Sequence, residues 1–488
     1  MGAGRRRDSV GHAVLRNLLA SGFPGPVTAV NPHARSILGV RCVPRVVDLP
    51  GPPDLAVVCV PAAAVLDVVR QCAAVGVRAL VVITAGIGPA DAAAVRAIVR
   101  EHGIRLVGPN CVGVGNPGAG LDATFMDRPA PPGGVGLACQ SGGIAIALVH
   151  ELAAAGLGVS TLVSTGDKLD VSGNDLLAWW SADDATAAAV FYLESFGDPR
   201  RFARWARALA RTKPLVAIRA GVSAAGSRAA GSHTAAIATP AATADALYRQ
   251  AGVTAVDSTE DAVAVLALLL GHPLPRGRRV AVVTNAGGAG VLAADACADA
   301  GLVMAELAEP VRRRLRGALP ATASVGNPVD TTAVIDPGAF ADRVADVLDD
   351  PGVDAVIAIT VPTVLGDPGT ALDRAATVAR DLGKPMLTVH MGHTGGWQQP
   401  CAPWPPRSTA PSGWPAPPCA RPTRRASTRR PSTRWSPATR VAAGSTRPRA
   451  SRSSPPRACR SSPVRSSPTP TRPSTLGGAR AGRSRSRR

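Results

Sequence analysis

Short apolar segments alternate with amphipathic helical stretches along most of this 488-residue chain. Aromatic residues make up only 3% of the sequence, so the cores must be built from Ala, Val and Leu. Strands that alternate with helices form parallel sheets with helices packed on their faces, which predicts an α/β fold. The predicted strands are 27–30, 55–60, 79–83, 105–107, 135–139, 162–163, 190–193, 215–218, 279–284, 355–359 and 385–389.

The chain is too long for one domain and is expected to form about three. Stretches rich in proline and glycine at 129–134 and 273–277 mark the two domain boundaries. The predicted domains are therefore 1–128, 134–272 and 277–395, and residues 396–488 form a tail.

Charge is distributed unevenly between the predicted domains and the tail. All 34 acidic residues lie at or before Asp381, and residues 1–399 carry 34 basic groups, so the net charge of +20 belongs to the tail. The tail has few aliphatic residues and no periodicity, which predicts disorder. It is either an arginine-rich arm that binds polyanions such as nucleic acid, or the product of a reading-frame slip in GC-rich DNA. The abrupt loss of every acid favours the slip, which would truncate the third domain.

The predicted strands of the first domain end at residues that free the backbone for contact with a ligand. In open α/β sheets the ligand lies outside the carboxyl ends of the strands. The glycine-rich start of the chain is typical of a phosphate-binding turn that follows a first strand. No such strand precedes it in the sequence, so we expect the true start to lie upstream. The strand ends are followed by Asn31-Pro32, Pro61, Thr84-Ala85-Gly86 and Gly108-Pro109-Asn110.

In the second domain, Gln140-Ser141-Gly142-Gly143 connects a strand to an apolar helix. A helix N-terminus offers unpaired N–H groups and the positive end of its dipole, and glycine lets an anion approach closely. The segment is therefore a candidate phosphate site. The alternative is a plain strand-to-helix turn in which Ser141 is the N-cap.

The segment 219–239 follows the strand 215–218 and carries one histidine, His233, in a loop rich in Gly, Ala and Ser. We interpret His233 as a phosphate carrier, and the alternative is an ordinary histidine of a surface loop. A phosphohistidine needs a carboxylate that fixes the tautomer of its ring. Glu194, at the end of a neighbouring strand, is the candidate, and parallel strands would bring it to the same edge as Ser141.

Nine cysteines occur without Cys-x-x-Cys pairs or a Cys/His spacing suited to zinc, which argues against a metal site and against a disulfide framework. No apolar run approaches the roughly 18 residues of a membrane span, and the N-terminus lacks the apolar core of a signal peptide. The sequence therefore predicts a cytoplasmic protein that does not associate with a membrane.

Taken in order, the motifs of the chain resemble those of the NDP-forming acyl-CoA synthetases. This superfamily includes succinyl-CoA synthetase and ADP-forming acetyl-CoA synthetase. The resemblance covers about residues 2 to 395. It rests on Val30-Asn31-Pro32, Pro53-Asp54-Leu55-Ala56-Val57, Val60-Pro61, Gly108-Pro109-Asn110-Cys111-Val112-Gly113, Gln140-Ser141-Gly142-Gly143, Asp170-Val171-Ser172-Gly173-Asn174-Asp175, Tyr192-Leu193-Glu194, Ser232-His233-Thr234 and Asn327-Pro328-Val329-Asp330.

The resemblance implies a Rossmann-like CoA-binding domain followed by two flavodoxin-like domains. It also implies a ligase that interconverts acid, CoA and ATP with acyl-CoA, ADP and phosphate through an acyl phosphate and a phosphohistidine. By this analogy His233 carries the phosphoryl group, Glu194 orients it, and Gln140, Ser141, Gly142 and Gly143 bind phosphate. The implied CoA-binding residues are Gly2, Gly4, Ser9, Val10, Gly11, Asn31, Pro32, Val60, Pro61, Thr84, Ala85, Gly86 and Asn110.

The implied cofactors and partners are coenzyme A, a small carboxylic acid, and ATP or ADP with Mg. In this family an ATP-grasp domain, fused or supplied as a second subunit, binds the nucleotide, and homo- or hetero-oligomers are expected. We recognise no ATP-grasp domain in the sequence, which suggests a fragment. The chain also departs from the family at Ala235, where glycine is usual. The rival hypotheses are a non-catalytic CoA-sensing protein and a nucleic-acid binder that acts through the tail.

Overall fold

The computed structural model describes residues 1–226, 228, 239–364 and 366–392, and it confirms the α/β class. Among these residues no helix is long and apolar enough to cross a membrane. The helices are α1 (Val10–Ala20), α2 (Ala62–Ala74), α3 (Pro89–Glu101), α4 (Gly142–Ala154), α5 (Gly173–Trp180), α6 (Pro199–Ala210), α7 (Ala241–Ala251), α8 (Thr259–Gly271), α9 (Gly287–Asp299), α10 (Glu309–Ala318), α11 (Pro337–Leu348) and α12 (Asp373–Leu382).

The strands of the described residues form four sheets. Their bounds are β1 (Ala29–Val30), β2 (Ser36–Ile37), β3 (Val40–Val43), β4 (Leu55–Val58), β5 (Ala79–Val82), β6 (Arg105–Val107), β7 (Gly113–Asn116), β8 (Leu121–Thr124), β9 (Pro132–Cys139), β10 (Val159–Ser164), β11 (Ala188–Tyr192), β12 (Leu215–Ile218), β13 (Thr254–Val256), β14 (Arg279–Thr284), β15 (Val303–Met304), β16 (Val329–Asp330), β17 (Ala355–Thr360) and β18 (Met386–His390).

The first two sheets lie in the N-terminal part of the chain and have the orders β1-β3-β2 and β4-β5-β6. The backbone of Met1 and Gly2 joins them. The Gly2 amide donates to the Val30 carbonyl at 3.1 Å, and the Cys59 amide donates to the Met1 carbonyl at 3.0 Å. Residues 1 and 2 therefore take the position of a strand between β1 and β4, and α1 leaves the sheet from that position.

The second domain is built on a seven-stranded sheet of order β13-β12-β11-β9-β10-β7-β8. Its first five strands are parallel, and the hairpin β7–β8 adds to β10 in the antiparallel sense. Apolar residues of α4 and α8 cover one face of this sheet, and those of α5, α6 and α7 cover the other. The hairpin lies within the stretch 1–128 that we assigned to the first domain, yet it completes the sheet of the second.

The third domain has the strand order β15-β14-β17-β18, with β16 paired to β14, and every pairing is parallel. Buried residues of α10, α11 and α12 pack on one face of this sheet. Residues of α9 pack on the opposite face. This arrangement is the doubly wound one that the alternating sequence pattern predicts.

We expect Thr161→Val to lower the stability of the second domain by about 1–3 kcal/mol, because it leaves a buried indole N–H without an acceptor. Trp180 is fully buried, and its Nε1 donates to Thr161 Oγ1 at 3.1 Å. Denaturant unfolding followed by tryptophan fluorescence measures the change. Thr212→Val, at an exposed position, is the control and should change stability by less than about 0.5 kcal/mol. Equal losses in the two variants would contradict this account of the core.

Candidate functional site

The glycine-rich turn before α1 packs directly against the start of the chain. A Cβ atom added to Gly11 would lie 2.1 Å from the Gly2 carbonyl oxygen, so only glycine lets α1 approach the backbone this closely. Ser9 is the N-cap residue of α1, Val10 is its exposed first residue, and Gly4 lies in the turn beside Ser9. The turn thus brings the predicted residues Gly2, Gly4, Ser9, Val10 and Gly11 together.

Hydrogen bonds connect this turn and the other strand ends of the first domain. The side-chain amide of Asn31 donates to the Ala3 carbonyl at 2.5 Å. The Thr84 hydroxyl donates to the Val60 carbonyl at 2.6 Å, and the Asn110 amide donates to the Thr84 carbonyl at 2.9 Å. The remaining predicted positions are exposed and lie within four residues of the end of β1, β4 or β5: they are Pro32, Pro61, Ala85 and Gly86.

The loop that follows β10 in the second domain is hydrogen-bonded to the first domain. The Asp167 amide donates to the Pro109 carbonyl at 2.9 Å, and the Leu169 amide donates to the Gly108 carbonyl at 3.1 Å. The Asn110 side chain also donates to Asp167 Oδ1 at 3.2 Å. A residue predicted to bind CoA is therefore in contact with a loop of the second domain.

The segment Gln140–Gly143 lies where β9 ends and α4 begins. Ser141 occupies the N-cap position but its side chain makes no capping hydrogen bond, unlike the N-cap serine of the alternative interpretation. A Cβ atom on Gly142 would lie 2.6 Å from Val112, whereas one on Gly143 would meet nothing within 4 Å. The start of α4 is thus closed on the side of Val112 and open beside Gly143.

Glu194 lies just beyond β11, next to this helix start. Its amide donates to Gln140 Oε1 at 3.0 Å, so the two predicted residues are in direct contact. Its carboxylate oxygen Oε2 is buried and has no hydrogen-bond partner among the described residues. A buried carboxylate oxygen without a donor is costly, which makes it a candidate acceptor for a group that this part of the chain does not supply.

His233 lies outside the described residues, so the structure does not test its predicted position. Thr239, directly after the undescribed segment, and Arg219, at the end of β12, both lie close to Glu194. The Thr239 amide donates to the Glu194 carbonyl at 3.4 Å. Arg219, which follows β12, donates to Asp257 at 2.6 and 2.5 Å and lines a depression together with Glu194 and Thr239.

Lys168 was not predicted as a site residue, and its ammonium lies between Gln140 and the segment after β11. Its Nζ donates to Gln140 Oε1 at 2.9 Å and to the carbonyl and hydroxyl oxygens of Ser195 at 2.7 and 2.8 Å. Burial lowers the pKa of Lys168 to about 8, although the nearby Glu194 carboxylate acts in the opposite direction.

In the described ranges, no group of three or more His, Cys, Asp or Glu side chains could hold a metal ion.

Three stretches of the chain each match a known domain family. A CoA binding domain model matches residues 1–117, a succinyl-CoA ligase like flavodoxin domain matches 132–269, and a Ligase-CoA domain matches 280–393. The alpha subunit of ADP-forming acetate–CoA ligase II from Pyrococcus furiosus is 36% identical over 370 residues, which make up 74% of this chain and 80% of that subunit. The chain belongs to the ADP-forming acetate–CoA ligase family. The resemblance inferred from the motifs is thereby confirmed.

Two further members of the ligase family give the extent of the match. An ADP-forming acetate–CoA ligase I from Archaeoglobus fulgidus is 35% identical over 369 residues, which cover 74% of this chain and 53% of that ligase. A dinucleotide forming acetyl-coenzyme A synthetase 1 from Candidatus Korarchaeum cryptofilum, solved with phosphate and ADP, superposes with a TM-score of 0.75 at 33% identity. That alignment covers 81% of this chain and 87% of the other. The chain thus spans most of an alpha subunit but about half of a longer relative.

Proposed function

We propose that this chain binds CoA and carries a phosphoryl group on His233 while acid, CoA and ATP are interconverted with acyl-CoA, ADP and phosphate. When the reaction starts from acyl-CoA, a phosphate oxygen adds to the thioester carbon, the C–S bond breaks, and CoA leaves as the thiol. The imidazole of His233 then attacks phosphorus, so that an N–P bond forms and the carboxylate leaves. ADP finally accepts the phosphoryl group and becomes ATP.

The proposed roles follow the two clusters of strand ends. The turn that contains Gly2 and Gly11, together with Asn31, Thr84 and Asn110, would bind CoA. The exposed start of α4, with Ser141 and Gly143, would hold phosphate through its N–H groups, because a helix N-terminus favours anions. Glu194 would accept a hydrogen bond from His233 and fix the tautomer that attacks phosphorus.

The observation that carries the proposal is the unpartnered Oε2 of Glu194. This oxygen is buried. The backbone of the same residue donates to Gln140, which precedes α4, and accepts from Thr239, which follows the undescribed segment that contains His233. A carboxylate in this position can stabilise the positive imidazole ring that forms when its nitrogen bonds to phosphorus. Neither an N-cap turn nor a surface-loop histidine requires such a carboxylate.

The nucleotide, with Mg, would be bound by an ATP-grasp domain or subunit in a hetero-oligomer. The relatives described above are named for acetate or acetyl-CoA, so acetate is the first acid to test. We place the reaction in the cytoplasm, where CoA and ATP are available. None of the proposed steps requires the residues from 400 onward.

The test supplies the full chain with acetyl phosphate and CoA and measures acetyl-CoA by chromatography. We expect acetyl-CoA and phosphate to form in equal amounts without added nucleotide, because this half-reaction needs only the CoA and phosphate sites. Absence of acetyl-CoA from the reaction mixture would contradict the proposal. Binding of CoA without any turnover would support the CoA-sensing alternative.

A further inference from the structure

Lys168 has an unusual backbone conformation, and its side chain contacts two other segments of the second domain. Its φ angle of +53° lies in the left-handed region, which non-glycine residues rarely adopt. Its ammonium is surrounded by three oxygen atoms at 2.7–2.9 Å, two from Ser195 and one from Gln140. All three N–H groups of the ammonium are therefore used within the protein.

These contacts determine the orientation of the Gln140 carboxamide. Its Oε1 accepts hydrogen bonds from Lys168 Nζ, from the Glu194 amide at 3.0 Å and from the Ser195 amide at 3.4 Å. Since three donors meet at this atom, it must be the oxygen, and the Nε2 group points the other way. Gln140 is only 6% exposed, and its Oε1 rather than its Nε2 makes these hydrogen bonds.

We propose that Lys168 is a positioning residue of the phosphoryl site, whose ammonium holds Gln140 so that the two Nε2 protons face the transferring phosphoryl group. The same contacts hold the segment that carries the Glu194 carboxylate. The inference rests on the function proposed above, because the phosphoryl group is the ligand that would receive these protons. Two N–H donors aimed at a phosphoryl oxygen stabilise the charge of the transition state.

The loop of Lys168 is anchored on its other side by the first domain. Asp167 and Leu169, its two neighbours, both donate backbone hydrogen bonds to residues that lead to Asn110. Lys168 is therefore fixed between the strand ends assigned to CoA and the site assigned to phosphate. A shift in the backbone of this loop would move the ammonium and the Gln140 carboxamide together.

Lysine is rare in this chain, and its three lysines have similar hydrogen-bond partners. Only three of its 54 basic residues are lysines, at positions 168, 213 and 384. Lys213 and Lys384 each donate to two backbone carbonyls. Lysine thus occurs here where a compact ammonium meets several oxygens, a geometry that the planar guanidinium of arginine does not fit. Lys168 differs from the other two because its partners lie in the proposed site.

The charge of Lys168 gives the proposal a pH dependence. Below about pH 8 the ammonium is protonated and can donate all three hydrogen bonds, and above that pH it loses its charge and one donor. We therefore expect the rate of phosphoryl transfer to fall as pH rises through 8. Because the pKa is lowered by folding, the buried charge disfavours the folded state at neutral pH, and this cost disappears as pH rises towards 10.5.

Lys168→Met in the full chain tests the proposal, with Lys213→Met as the matched control. The probe is [32P]acetyl phosphate, and the readout is the rate of acid-labile labelling from pH 6.5 to 9.5. We expect labelling of Lys168→Met to be at least about tenfold slower and independent of pH above 7.5, while Lys213→Met keeps the wild-type rate and profile. The substitution removes the hydrogen bonds of the ammonium, which lowers stability, and it removes a buried charge, which raises stability. Because these two effects oppose each other, the melting temperature of Lys168→Met should lie within about 4 °C of wild type.

Wild-type labelling in Lys168→Met, or equal losses in both variants, would overturn the proposal. A wild-type chain that takes no label would instead refute the proposed function, and the role of Lys168 would then be decided by a crystal structure of Lys168→Met. The proposal expects Gln140 to leave its position in that structure. An unchanged Gln140 carboxamide, still bonded to the Glu194 and Ser195 amides, would overturn it whatever the labelling shows.

Discussion

Glu194→Gln is expected to slow phosphorylation of the chain by acetyl phosphate about 100-fold, because a neutral amide stabilises the positively charged ring poorly and can select the wrong tautomer. Glutamine has nearly the same shape, and the Glu194 amide would still donate to Gln140 Oε1. The fold should therefore be preserved. The rate of acid-labile 32P incorporation, measured at several acetyl phosphate concentrations, separates a loss of turnover from a loss of binding.

Glu151→Gln is the matched control for this substitution. Glu151 also has a buried Oε2 without a partner among the described residues, and it lies near the other end of α4, where its Oε1 accepts from Thr259 at 2.9 Å. We expect its labelling rate to stay within about twofold of wild type, because it is remote from the site. If Glu194→Gln were as active as Glu151→Gln, Glu194 would have no role in orienting the histidine.

Gly11→Ala is expected to weaken CoA binding at least about tenfold, since overpacking of about 1–3 kcal/mol must be relieved by moving α1 away from the turn. The added Cβ atom would lie 2.1 Å from the Gly2 carbonyl oxygen and 3.2 Å from the Ala3 Cα atom. Both neighbours are backbone, so no flexible side chain can give way. Isothermal titration of the full chain with CoA measures the affinity, and circular dichroism confirms that the variant is folded.

Gly51→Ala provides the comparison within the same domain. A Cβ atom there would meet nothing within 4 Å, and Gly51 is exposed. Its affinity for CoA should match that of the wild type. Unchanged affinity in Gly11→Ala would place CoA away from the turn and would remove Gly2, Gly4 and Ser9 from the proposed site.

The regular elements could be predicted because their signals are local. The predicted strands 215–218 and 279–284 coincide with β12 and β14, since each is an apolar run that ends at a polar residue. The hairpin β7–β8 was missed, because Gly113–Asn116 has no apolar run and is stabilised by pairing with β10, which is distant in sequence. The two-residue strands β15 and β16 were also missed.

Some residues of the candidate site could likewise be predicted from the sequence, and one could not. Gln140 and Glu194 could be named because each directly follows an apolar strand, and parallel strands bring such residues to one edge. Lys168 could not be predicted as a site residue, because a single lysine in a loop is usually exposed. Its burial depends on a left-handed backbone turn and on oxygens from two other segments. The only sequence signal was the rarity of lysine in an arginine-rich chain.

The roles assigned to Gln140, Glu194 and the CoA-binding turn, and the phosphorylation of His233, remain predictions. One measurement tests their central claim most directly. The full chain is incubated with [32P]acetyl phosphate, and the modified residue is located by mass spectrometry under conditions that preserve phosphohistidine. We predict one acid-labile phosphoryl group per chain, on His233, and none in His233→Asn. Stable label on another residue, or equal labelling of His233→Asn, would contradict the account.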